Sequence, residues 1–136
     1  MSRFTGPLII EEIKPGILWK LKAPLVFEVS QVGSDKEIIV PENFVTDGAS
    51  ITPFLKVFLA VWGTYGRAAA LHDYLYVKLR NKDPDKYAVN RKQADAIFLS
   101  AMSACNTSLV TRYTLWIAVR LFGWHSLYFR KNKEEK

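Results

Sequence analysis

The chain has 136 residues, 49% of them apolar and 24% charged, a composition that excludes a mainly disordered protein and supplies one domain's worth of core. A single cysteine, Cys105, excludes a cystine-stapled scaffold, and one Cys with the distant His72 and His125 matches no structural-zinc spacing. The net charge is +6; from Cys105 onward six basic residues face two acidic ones, which points to an anionic partner or simply to a solvated basic tail. No signal peptide is expected from the opening residues, and no run of eighteen uncharged apolar residues offers a bilayer span.

In chain order, short runs at residues 7–10, 17–21, 25–32 and 37–40 read as strands, separated by Lys14-Pro15-Gly16, Ala23-Pro24 and Gly33-Ser34-Asp35. Proline and glycine at these positions suit turns, and the β-branched and aromatic residues between them suit a small antiparallel sheet. From Thr52 the period changes, and helices are expected over 52–62, 64–80, 90–105 and 108–122. Gly63, the segment 81–85 and Asn106 break them, with Thr64, Asn90 and Ser108 as candidate caps. The expectation is an α+β fold in a single domain spanning 1–136, mainly β over 1–45, helical over 46–125, with a basic tail over 126–136.

The helix expected at 90–105 has the cleanest apolar stripe, built from Ala94, Ile97, Phe98, Ala101, Met102 and Cys105. Asp95 interrupts it, three residues before Phe98 and seven before Met102, so its carboxylate points toward the core or its margin. A buried carboxylate needs a partner. The helix at 64–80 offers His72 and Tyr76, which run along the edge of its Ala68, Leu71, Leu75, Leu79 stripe. Antiparallel packing of the two stripes would let Asp95 meet both.

A histidine held by a buried aspartate has a fixed tautomer and raised basicity. Asp73 would lie at the mouth of the same crevice. Upstream, Val45-Thr46-Asp47-Gly48-Ala49-Ser50 forms a loop in which Gly48 permits close backbone approach and Asp47 adds an oxygen. Asp47, a loop carbonyl and Asp73 make an all-oxygen set suited to Ca2+. The matching chemistry is a His-activated water attacking a carbonyl while the metal takes the oxyanion. Each piece also has an ordinary reading: Asp47-Gly48 as a turn, His72 as a structural histidine, Asp95 as a bridge between helices, Tyr76 as core.

His72-Asp73-Tyr74-Leu75-Tyr76 resembles the His-Asp-x-x-Tyr helix of phospholipase A2 enzymes, and Ala94-Asp95-Ala96-Ile97-Phe98 resembles their second catalytic helix. With Ala68-Ala69-Ala70-Leu71 before it, and Asp83-Pro84, Tyr87 and Asn90 after it, the string is similar to the phospholipase domain of parvovirus minor capsid proteins. Thr46-Asp47-Gly48-Ala49-Ser50 is similar to the calcium loop of bacterial and fungal phospholipases A2. With Val40-Pro41, Phe44 and the closing Arg120-Leu121-Phe122-Gly123-Trp124, nearly the whole chain resembles an uncharacterised family common in phages and prophages.

The resemblance implies His72 as general base on water, Asp95 as its orienting partner and Tyr76 as hydrogen-bond support for Asp95. It implies Asp73, the Asp47 side chain and the Gly48 carbonyl as calcium ligands. Ala49 and Ala69 stand where it would place the disulfide of the bacterial enzymes, and the glycine-rich calcium loop of the animal and parvovirus enzymes is absent. The expected function is thus a calcium-dependent, phage-encoded lipid ester hydrolase, virion-associated or in the host cytoplasm. Its expected partners are a phospholipid membrane surface and other phage virion proteins. The rival reading is a virion or tail-associated structural protein that keeps the scaffold. Nucleic-acid binding has only the net charge behind it. Leu109, Tyr113, Trp116, Ile117, Arg120 and Trp124 suit a membrane-facing helix, or one packed over the core.

Overall fold

The computed structural model describes residues 3–14, 18–29, 36–46 and 66–129. The helix expected at 52–62, the turns at 15–16 and 33–35 and the loop from Asp47 to Ser50 lie outside the described residues, as does most of the basic tail. Six short strands come first: β1 (Arg3–Phe4), β2 (Ile10–Lys14), β3 (Leu18–Leu21), β4 (Leu25–Glu28), β5 (Glu37–Val40) and β6 (Val45–Thr46). They form two antiparallel three-stranded sheets, ordered β1-β4-β5 and β2-β3-β6. Three helices follow: α1 (Gly66–Arg80), α2 (Arg91–Ala104) and α3 (Leu109–Phe129). The architecture is α+β, as expected.

Alternation explains the first sheet. In β5, Ile38 and Val40 point inward while Glu37 and Ile39 point out, and Ile38 lies opposite Phe27 of β4. Phe27 in turn faces Phe4 of β1 with ring centroids 4.8 Å apart. Burying residues of this size stabilises the fold by about 1.5–3 kcal/mol each. Arg67 of α1 stands 5.0 Å from the centre of the Phe4 ring and donates to the Gly6 carbonyl at 3.1 Å, which ties the first helix to this sheet.

The strand expected at 7–10 is displaced: β2 starts at Ile10 and runs through Glu11 and Glu12, where its pairing with β3 is irregular between Glu12 and Lys14. An edge strand needs one apolar side at most, so apolar content placed it too early. The two-residue strands β1 and β6 are too short to leave a period. Of the strand expected over 25–32, β4 takes Leu25–Glu28, Val29 donates to the Lys36 carbonyl at 2.7 Å, and residues 30–32 lie outside the described residues.

Helix ends follow local chemistry closely. Asn90 caps α2, its side chain accepting from the Gln93 N–H at 2.8 Å, while the Gln93 side chain accepts from the Val89 N–H at 2.9 Å. Ser108 accepts from the Thr111 N–H at 3.3 Å at the head of α3. Both α1 and α2 end in Schellman motifs. Asp83 N–H reaches the Lys78 carbonyl and Lys82 N–H the Leu79 carbonyl, around Lys82 at φ 57°. Thr107 and Asn106 repeat the pattern on Met102 and Ser103, around Asn106 at φ 58°. Helix α3 continues past its expected end at 122, through Gly123 to Phe129, because an interior glycine weakens a helix without stopping it.

Leu71 and Leu75 of α1, Phe98 and Met102 of α2, Leu115 and Val119 of α3, and Phe27 and Ile38 of the first sheet share a single core cluster. The helices therefore lie against the sheet as one body with it. That contact fixes how α1 and α2 face each other.

Candidate functional site

The buried turns of α1 and α2 bring His72, Tyr76 and Asp95 together. Asp95 has no solvent exposure. Its Oδ1 lies 2.8 Å from His72 Nε2 and accepts the Tyr76 hydroxyl at 2.5 Å. The His72 ring stacks on Phe98, with centroids 4.4 Å apart and planes 28° from parallel, and leans on the Tyr76 ring at 4.2 Å. Since His72 touches Asp95 and Phe98, whereas Tyr76 one turn later touches Asp95, the partner helix runs back as α1 runs forward. The expected meeting of these three residues is what the packing produces.

Two arginines complete the carboxylate. Arg120 of α3 donates from Nη1 to Asp95 Oδ2 at 2.8 Å, and Arg91, one turn before Asp95 on α2, stands 3.6 Å from the same oxygen. Arg91 also donates to the Val119 and Arg120 carbonyls at 2.8 and 3.2 Å, which clamps α3 onto α2 beside the site. These guanidiniums offset the cost of burying the charge, and each carboxylate oxygen has its donors. The sequence carries one signal for this: Arg91 and Asp95 are spaced i, i+4. Arg120 carries none: the sequence suggests a cation of a membrane-facing helix, and in the fold its guanidinium donates to Asp95.

Electrostatics keep the Tyr76 proton on its oxygen. Burial pushes the Tyr76 phenol well above its usual range, the Asp95 carboxylate beside it pushes it further, and Arg91 offsets only part of this. Tyr76 is therefore a permanent donor to Asp95. With the His72 proton on Nε2, directed at Asp95, the lone pair falls on Nδ1, the arrangement a general base requires. Burial also raises the Cys105 thiol, which makes that cysteine an inert packing residue.

Asp73 is half-buried and adjoins His72 on α1. Of the other two expected calcium ligands, Asp47 and Gly48 both lie outside the described residues. Among the described residues, no group of three or more His, Cys, Asp or Glu converges as a metal site. No described helix is long and apolar enough to cross a membrane.

No curated protein and no solved structure gives a significant match to the chain. A family model matches residues 19–119, a span that holds His72, Asp73, Tyr76 and Asp95 and stops one position before Arg120. On that match, which takes in β3 to β6, α1 and α2, the chain belongs to the family described as "Protein of unknown function (DUF1353)".

Proposed function

We propose that the chain is a phospholipase A2-like lipid ester hydrolase, dependent on calcium and encoded by a phage or prophage. The observation that carries this reading is the His72–Asp95 contact of 2.8 Å, buried and buttressed by Tyr76. In the proposed reaction His72 Nδ1 takes a proton from water as the hydroxyl adds to the ester carbonyl. Asp95 holds the imidazole through Nε2 and stabilises the imidazolium that forms. Collapse of the tetrahedral adduct breaks the acyl C–O bond, and the proton on Nδ1 passes to the departing alcohol, leaving a fatty acid and a lysolipid.

Asp73, Asp47 and the Gly48 carbonyl offer oxygen donors of the kind calcium takes, and a bound ion would supply positive charge for the carbonyl oxygen. The test is fatty-acid release from mixed phospholipid vesicles, with calcium or with chelator. Release that requires calcium and disappears in both His72→Ala and Asp73→Ala is the expected result. Folded proteins that release nothing from any vesicle composition refute the reading.

A separate observation favours a second reading, a non-enzymatic virion or tail-associated protein that keeps the scaffold. His72 is only 7% exposed, packed between Phe98 and Tyr76, and Asp95 is shared with Arg120. In that reading the network is a device for joining three helices, and substitution of His72 changes stability alone.

A further inference from the structure

Helix α3 has two apolar faces, and among the described residues only one is packed against the body. Leu115, Ala118 and Val119 are buried against the body of the protein. On the opposite side, Leu109, Val110, Tyr113, Ile117 and Leu121 are between 46% and 79% exposed. At about 100° per residue these five fall within roughly a third of the helix circumference. Thr114 borders them, with its hydroxyl already donated to the Val110 carbonyl at 2.6 Å. A contiguous apolar strip of this length on an exposed helix marks a contact surface.

We propose that this face of α3 docks the protein on an anionic lipid surface, the helix lying along the interface. Charge selects the occupant. Helix α3 holds no Asp or Glu; Asp95 of α2 answers Arg120, which leaves the charge of Arg112, and the sequence continues with Arg130, Lys131, Lys133 and Lys136 against Glu134 and Glu135. Pairing of two copies through the same face would set these cations against each other with no carboxylate in the helix to answer them, whereas lipid phosphates do answer them. The helix is too short of apolar residues to span a bilayer, so it rests on the surface.

The placement deepens the esterase reading and, for its catalytic consequence, rests on it: the lipid-facing helix is bonded through Arg120 directly to Asp95.

The experiment is co-sedimentation of the whole chain with phosphatidylcholine vesicles, with and without phosphatidylglycerol. The parent is compared with the Ile117→Ser/Leu121→Ser double variant, with Val110→Asp at the far end of the strip, and with Ile39→Ser, an equally exposed apolar position on β5. Circular dichroism and the thermal midpoint establish that each is folded. Expected are binding by the parent that requires phosphatidylglycerol, about a tenfold loss in the double variant and in Val110→Asp, and parental binding by Ile39→Ser. Three results overturn the proposal: a parent that does not sediment, folded face variants that bind as the parent does, or a parental dimer that the face substitutions dissociate. Binding without fatty-acid release upholds the surface and refutes the esterase. Fatty-acid release by a parent whose face variants bind as it does refutes the surface and leaves the esterase standing.

Discussion

Replacing Asp95 by Asn keeps the shape of the side chain and removes its charge. The carboxylate accepts from His72 and Tyr76 on one oxygen and from Arg120 on the other, with Arg91 close by. An amide has only one acceptor oxygen, so either Arg120 or the His72–Tyr76 pair meets an NH2 group that cannot accept. At least one charge-assisted bond is lost, at about 1.5–3 kcal/mol, and a buried donor is left unsatisfied. Arg120 is 31% exposed at its side chain, so water takes up part of the deficit on that side. The expected cost is about 2–3 kcal/mol, measured as a drop in the urea midpoint at unchanged slope. A cycle with Arg120→Met isolates the ion pair and should return a coupling of about 1–2 kcal/mol. An Asp95→Asn protein within about 0.5 kcal/mol of the parent would mean that the network contributes no stability, and the account of a carboxylate buried by compensation would fail.

Three further outcomes are expected. Because the Tyr76 phenol is raised in the fold, the native state keeps its proton when an exposed tyrosine loses it; stability is therefore complete below about pH 10 and declines above it, by up to about 1.4 kcal/mol per pH unit for this group. Tyr76→Phe should flatten that decline in urea titrations at alkaline pH; an unchanged slope would show that other groups cause it. Lys82 holds a left-handed conformation at the end of α1 at some steric cost, so Lys82→Gly should raise stability by about 0.5–1 kcal/mol in chemical denaturation, and any loss contradicts the Schellman assignment. Cys105 should react with a thiol reagent on the order of a hundredfold more slowly in the native protein than in urea, and comparable rates would place it at the surface.

Local rules make much of the helical part legible in the sequence. Asn90, Ser108 and Asn106 mark helix limits through side-chain and backbone chemistry confined to three or four neighbouring residues, and that chemistry is present in the folded chain. Strands depend on partners. β2 is a strand because β3 lies beside it, and its charged residues Glu11, Glu12 and Lys14 hide the fact from any reading of composition. The same distinction separates the two α3 limits. Its start is local, whereas its continuation beyond Gly123 is a balance of weak propensities that a single glycine does not decide.

The candidate site divides in the same way, and the division bears on what its residues do. An aspartate on an apolar stripe demands a partner wherever the chain folds, and the His72–Tyr76 spacing on the neighbouring helix is enough to name two. That demand is not enough to show that Asp95 has a second oxygen to satisfy. Arg120 answers it from a helix that follows the turn at Asn106 and Thr107 and is held by the Arg91 clamp on the Val119 and Arg120 carbonyls. The consequence is electrostatic. A substitution that removes the Arg120 guanidinium takes a charged donor from the carboxylate that contacts His72, so α3 and the His72–Asp95 pair share one electrostatic unit.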